Sequence, residues 1–311
     1  GDRSCRTAEE SCWKGGLDPR SRALGIVHAA SSEGRRPGAS EWAVTAPFNA
    51  HTSIPDQHFR IAIRKRLDMP VCERGDRCRV PKGRHGGDGG RGTEGDCRRP
   101  RAPGAPCAAH LLPHADHAQH CARREINRRH NGVRDKAAAI NREVGHSVHI
   151  EAEVPGVLSS SKREPIRADV LVRAGPPAPW EAVEVKVRHI FKSDGDLALS
   201  RADGVDDMLR GVEAQIHAHY RPARVRPWVM TSLGRPGQGM SSDIRRLARL
   251  RLQRLDVSRA VSVPSVLQLL LQRWRAELSC ALVLGDADTY LAALGSVGRA
   301  RADVDVGTGP V

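Results

Sequence analysis

The stretch that decides the fold is residues 167–187, RADVLVRAGPPAPWEAVEVKV. Two short apolar runs, 168–172 and 182–187, flank the segment 175–179, which holds a glycine and three prolines. Apolar runs of this length around a Gly/Pro turn predict two strands joined as a β-hairpin. Every candidate catalytic residue lies in this hairpin or in the predicted strand that precedes it.

The centre of the turn lies midway between residues 169 and 184, so a symmetric hairpin places Asp169 opposite Glu184, with side chains about 5 Å apart. Two carboxylates that close repel each other unless a cation lies between them, and Mg²⁺ or Mn²⁺ suits oxygen ligands. Lys186 shares a strand face with Glu184 and could orient water or stabilise developing negative charge. Glu151, on the polar face of the preceding strand, is a candidate third acid. The alternative is a salt-bridge cluster on a solvated sheet face.

Periodicity elsewhere predicts an α/β fold, a mixed β-sheet flanked by helices. The first helix carries an apolar stripe that ends before Gly145: Ile126, Val133, Ala137, Ile140 and Val144. The other predicted elements are a strand at 147–154, a helix from Val205 to Tyr220, a strand at 225–231, and helices near 241–255 and 264–283.

Composition divides the rest of the chain. We expect residues 1–40 to be disordered or spurious, 41–70 to hold a short helix, 71–106 to be a Gly/Arg-rich linker, 107–121 to hold a Cys/His cluster, 122–298 to form the α/β domain, and 299–311 to be a tail. No run of about 18 apolar residues occurs, which argues against a membrane partner.

The net charge of +14 and the pI of about 10.1 favour a polyanionic partner, with DNA first and RNA second. A GC-rich coding sequence would produce the same arginine bias without any binding role. The arginines of the first helix are candidate DNA contacts, or else a solvated basic face: Arg123, Arg124, Arg128, Arg129 and Arg134. His130 lies on the same helix and either packs on the sheet with a hydrogen bond or lies near the scissile phosphate.

Three candidate zinc ligands fall within 15 residues: Cys107, His117 and Cys121. Cys97, His110 or His114 could supply the fourth ligand. The alternative is a His-rich linker with incidental cysteines.

These motifs together resemble the C-terminal region of non-LTR retrotransposon polyproteins, where a zinc knuckle precedes a restriction-enzyme-like endonuclease domain of the PD-(D/E)xK type. The segments that carry the resemblance are Asp116-His117-Ala118-x2-Cys121, Arg129-His130-Asn131-Gly132-Val133-Arg134-Asp135, Val148-His149-Ile150-Glu151 and Arg167-Ala168-Asp169-Val170. The resemblance covers roughly residues 40–296. A polymerase motif, Tyr-x-Asp-Asp, is absent from the chain.

The resemblance implies a restriction-endonuclease-like core and a DNA endonuclease that nicks DNA in target-primed reverse transcription. It implies Asp169, Glu184 and Lys186 as the catalytic triad, Glu151 as a supporting acid, and a zinc knuckle at Cys107, His117 and Cys121. Mg²⁺ or Mn²⁺ and Zn²⁺ are the implied cofactors. The reverse transcriptase domain of the parent element is the implied protein partner. Localisation would be nuclear by this resemblance, and cytoplasmic otherwise. The alternative function is a catalytically inactive nucleic-acid-binding remnant; a third possibility is a chain that does not fold well.

Overall fold

A computed structural model describes residues 53–66, 71, 78–79, 117–121, 123–158, 164–191, 204–255 and 263–295. Within these ranges the chain forms a four-stranded mixed sheet with helices on both faces, which confirms the predicted α/β class. The predicted disordered segment, the greater part of the linker and the tail lie outside the described residues.

The elements follow in chain order: α1 (Asp56–Arg66), α2 (Ala118–Cys121), α3 (Arg123–Glu143), β1 (Ser147–Leu158), β2 (Pro165–Arg173), β3 (Glu181–Arg188), α4 (Val205–His219), β4 (Val225–Thr231), α5 (Gln238–Arg254) and α6 (Val263–Leu294). Gly145 follows α3 with a φ of 81°, as a helix-ending glycine should. The last helix runs eleven residues beyond the predicted end at 283 because small and apolar residues continue its buried face to Ala293.

The strands lie in the order β1-β2-β3-β4, with β1–β2 and β2–β3 antiparallel and β3–β4 parallel. In the β2–β3 hairpin Val170 pairs with Val183 and Val172 pairs with Glu181. The turn is closed by the amide of Ala178, which donates to the carbonyl of Gly175 at 2.7 Å. This register is the one predicted from the sequence.

Each face of the sheet has its own apolar core. The α4-side core packs α4 against one face and includes Ala168, Leu171, Leu209 and Tyr220. The α3-side core packs α3, α5 and α6 against the other face and includes Val170, Val183, Trp228 and Trp274. The sheet therefore forms the middle layer of three.

A third group, the satellite cluster, gathers α1, α2 and the end of α6. Its buried members are Ile61, Val71, Cys78, Ala118, Ala287, Tyr290, Leu291 and Ala293. Val71 and Cys78 belong to the stretch predicted to be a linker, and both are buried in this cluster. None of the helices in the described parts of the chain combines the length and apolar character of a membrane span.

Candidate active site and Cys/His cluster

The central feature of the candidate site is a local change of side-chain direction at Asp169. Residues two apart on a regular strand share a face. Ala168, however, packs in the α4-side core and Val170 in the α3-side core. The β1–β2 pairs run from Ile150–Val170 to Ala152–Ala168, on either side of Asp169 and Glu151, and Glu151 has a φ of 51°. A non-glycine residue with positive φ inside a strand is strained, and such strain is concentrated at functional sites.

Asp169 has two hydrogen-bond donors. His130 Nε2 lies 3.0 Å from its Oδ1, and the backbone amide of Val185 donates to its Oδ2 at 2.8 Å. Burial by itself would raise the pKa of this carboxyl, but the hydrogen bond and charge of His130, the Val185 amide and the nearby Lys186 outweigh it and hold the pKa below its usual value. Asp169 is therefore a carboxylate, and not a carboxylic acid, at neutral pH.

Glu184 is buried, at 9% exposure, and both of its carboxylate oxygens have donors. Lys186 Nζ lies 2.5 Å from Oε1, and the hydroxyl of Tyr220 donates to Oε2 at 2.6 Å. Burial raises the pKa of Tyr220 well above its usual value, and the negative charge of Glu184 raises it further, so the hydroxyl keeps its proton. Asp169, Glu184 and Lys186 thus come together on the hairpin, with two additional side chains that the two flanking helices supply.

Glu151 does not join this group through its side chain. Its carboxylate accepts a hydrogen bond from Arg134 and is 60% exposed. Its backbone carbonyl accepts from Arg167 Nη2 at 2.8 Å. Within the described residues, Glu151 therefore contacts Arg134 and Arg167, and none of the contacts that its carboxylate makes there involves Asp169 or Glu184.

The helix arginines have different environments. Arg129 is 3% exposed and pairs with Asp286 of α6 at 2.9 Å, so the structure places it in a buried ion pair instead of on a DNA-facing surface. Arg134 is 8% exposed and forms ion pairs with Asp135 and Glu151, and its contact with DNA stays a prediction. Arg128 lines an open cleft of about 480 Å³ between α3 and α6. The side chains of Arg123 and Arg124 lie outside the described residues, and His130 contacts Asp169 as described above.

The Cys/His cluster consists of Cys78, His117 and Cys121, whose ligand atoms all lie within 4.8 Å of one another. His117 and Cys121 were expected to share a site, and Cys78 joins them. Cys107, Cys97, His110 and His114 lie outside the described residues. Thiolate and imidazole ligands at this separation can hold a metal ion.

A buried polar network links this cluster to the core. Gln119 of α2 donates to Asp286 at 2.6 Å and accepts a hydrogen bond from Arg129. Arg129 is followed directly by His130, which contacts Asp169. The cluster and the acidic pair thus both connect to the first half of α3.

Sequence reasoning missed two members of these sites. Tyr220 fell on the apolar stripe of α4, where it looked like a core residue, although a tyrosine at the end of such a stripe carries a hydroxyl that needs a partner. Cys78 lies 39 residues from His117 in the chain, within Gly/Arg-rich sequence, and no ligand spacing linked the two. A scan against models of known protein families and a search of curated proteins both found no match.

Proposed function

We propose that this chain is a metal-dependent DNA endonuclease domain with a restriction-endonuclease-like core. The observation that carries the proposal is the acidic pair, Asp169 and Glu184, which lies on adjacent strands with Lys186, at the point of β2 where Ala168 and Val170 face opposite cores. A mixed sheet between two helical layers is the expected frame for such a pair. The reaction is hydrolysis of a phosphodiester bond.

The donor set fits a hard divalent cation. Asp169 and Glu184 supply carboxylate oxygens, which Mg²⁺ and Mn²⁺ prefer to nitrogen or sulfur. The low pKa of Asp169 keeps an anionic ligand available at neutral pH. When bound, the cation lowers the pKa of a coordinated water and so provides the nucleophile.

The other side chains support this chemistry. Lys186 is 41% exposed, so its ammonium is accessible to a phosphate from the solvent side, where it would stabilise the charge that develops on the phosphorus oxygens. His130 orients Asp169. Arg167, two residues before Asp169, is exposed and well situated for a DNA phosphate.

We also propose that Cys78, His117 and Cys121 hold zinc in a structural site. Sulfur and nitrogen donors match the preference of Zn²⁺, and Cys78 and Cys121 are also packed in the satellite cluster. Cys107, also predicted as a zinc ligand from the sequence, lies outside the described residues. The nuclear location and the partnership with a reverse transcriptase domain remain part of the same proposal, on the resemblance alone.

The second candidate function is a nucleic-acid-binding remnant without catalysis. The observation that favours it is that both oxygens of Glu184 already have donors within the protein, so this carboxylate is satisfied without a cation. The exposed arginines and the charge of +14 would then act in binding alone.

A plasmid-nicking assay on the full chain, with Mg²⁺, Mn²⁺ or EDTA, tests the two candidates. We expect metal-dependent nicking that falls by about 100-fold or more in Asp169→Asn, because it removes the charge of a metal ligand. Asp207→Asn is the matched control: Asp207 is an exposed acid of α4 that forms an ion pair with Arg210, one turn along the same helix. If the wild-type chain binds DNA in a salt-dependent way but does not nick it, the result supports the binding remnant. If it neither binds nor nicks DNA, the result contradicts both functions.

A further inference from the structure

Tyr220 caps the C-terminal end of α4 and is 1% exposed. Its ring packs in the α4-side core, and its hydroxyl reaches between β2 and β3. Two oxygens lie within reach: Glu184 Oε2 at 2.6 Å and the carbonyl of Arg167 at 3.3 Å. A phenol has one proton to donate, and the shorter contact to a charged acceptor is the stronger hydrogen bond.

Tyr220 and Lys186 hold Glu184 in different ways. Lys186 is 41% exposed at the end of a flexible side chain, so its ammonium can exchange with water. The ring of Tyr220 is fixed by the surrounding core and has few rotatable bonds. Of the two side-chain donors to Glu184, Tyr220 is therefore the one whose position the fold determines.

We propose that Tyr220 is a positioning residue that fixes the Glu184 carboxylate and thereby sets the affinity of the acidic pair for a divalent cation. The inference rests on the proposed function, because it requires Glu184 to be a metal ligand. Hydrogen-bond partners of metal ligands orient the ligand before the ion arrives, and their loss costs about 10–100-fold in metal affinity. The hydroxyl would have no contact with the substrate.

A merely structural role for Tyr220 makes a different prediction. If the hydroxyl only satisfies a buried carboxylate, its removal lowers the free energy of unfolding but leaves the cation affinity of the folded protein unchanged. Cation affinity, measured well below the melting temperature, separates the two roles.

Calorimetric titration of the full chain with Mn²⁺ tests the inference, with melting curves to confirm that each variant is folded. We expect Tyr220→Phe to weaken Mn²⁺ binding by about 10-fold or more. Tyr290→Phe is the matched control, since Tyr290 is the other tyrosine of the chain, is fully buried, and lies in the satellite cluster. In a Glu184→Gln background, Tyr220→Phe should have no further effect on affinity.

Asp169→Asn distinguishes failure of the inference from failure of the proposed function. If Asp169→Asn abolishes Mn²⁺ binding while Tyr220→Phe binds like Tyr290→Phe, the inference is overturned and the metal site stands. If Asp169→Asn binds Mn²⁺ like the wild type, or the wild type does not bind it, both are overturned.

A second measurement does not depend on the folding of Tyr220→Phe. In Tyr290→Phe the remaining tyrosine is Tyr220, so Mn²⁺ should perturb the tyrosine band of its ultraviolet difference spectrum when the Glu184 carboxylate, which accepts the Tyr220 hydrogen bond, coordinates the cation. An unperturbed tyrosine band, at Mn²⁺ concentrations that saturate the site, would contradict a coupling between Tyr220 and the cation.

Discussion

At the residue scale, His146 is a buried titratable group outside the candidate active site, 8% exposed and directly before β1. Its Nδ1 lies 3.1 Å from Asn141 Oδ1, which also accepts a hydrogen bond from Arg226. Since an amide oxygen can only accept, the neutral imidazole carries its proton on Nδ1. Burial lowers the pKa of His146, and the charges of Arg226, Arg246 and Arg254 lower it further.

This environment predicts a pH-dependent stability. The unfolded chain binds a proton at His146 with a pKa near 6.5, whereas the folded chain binds it only at lower pH. The free energy of unfolding should therefore fall as the pH drops from about 6.5 to the lowered pKa. Above pH 6.5 His146 is neutral in both states and should cause no pH dependence. Urea unfolding at a series of pH values measures the slope.

His146→Gln should flatten that slope, since glutamine does not titrate. His217→Gln is the control, because His217 is exposed on α4. Equal slopes in His146→Gln and the wild type would show that another group titrates.

The candidate site illustrates what residue-level reasoning from the sequence can reach. The register of the hairpin, in which Val170 pairs with Val183, could be predicted because a hairpin with a short turn leaves few registers, and the register is a local property of the chain. The contact of Tyr220 with Glu184 could not be predicted, because the two residues lie 36 positions apart and packing decides which end of a helix meets which strand. Arg128 and Arg129 look alike in the sequence, and only the approach of α6 determines that Arg129 is the buried one.

At the scale of elements, α3 and α6 approach each other closely at Gly285. A Cβ on Gly285 would lie 2.4 Å from Arg129 Cα and 2.6 Å from Arg129 Cβ. The first of these atoms belongs to the backbone and cannot move aside without moving α3. A glycine therefore sets the separation of these two helices.

Gly285→Ala should separate them and lower the free energy of unfolding by about 3 kcal/mol, the upper end of the usual overpacking cost. Gly211→Ala is the control, because a Cβ on Gly211 of α4 meets no atom within 4 Å and should stabilise the protein by about 0.5–1 kcal/mol. Chemical denaturation of both variants tests the contrast. A destabilisation of Gly285→Ala below about 0.5 kcal/mol would show that the helices tolerate a larger separation.

The elements themselves were predictable to a large extent. The strands of the hairpin and β4 lie close to their expected positions because alternation and flanking turns mark them. The end of α6 was not predictable, since Ala, Leu and Asp after residue 283 continue the helix without a capping signal, and it is packing against the satellite cluster that holds this part in place.

At the scale of the whole molecule, the satellite cluster is the part with the smallest apolar core, and the Cys/His cluster lies beside it. Metal binding can supply stability that a small core lacks. We expect removal of zinc by a chelator to increase hydrogen exchange in α1 and α2 while β2 and β3 stay protected.

Cys121→Ser should lower the zinc content of the purified chain, as measured by elemental mass spectrometry. Cys280→Ser should not, because Cys280 is buried in α6 outside the cluster and burial raises the pKa of its thiol to about 11, which disfavours a thiolate ligand. The same zinc content in both variants would remove Cys121 from the metal site.

Arg129 and His130 are consecutive in the chain, yet their side chains form hydrogen bonds with different parts of the structure. Arg129 is shared between Gln119 of α2 and Asp286 of α6, and His130 holds Asp169 of the sheet. The expected boundary between a metal-binding segment and an α/β domain, after residue 121, therefore passes through one continuous polar network. A chimera that joins this sheet to a foreign N-terminal segment must keep residues 117–121, or the transplanted Arg129 would lose the amide that completes its buried site.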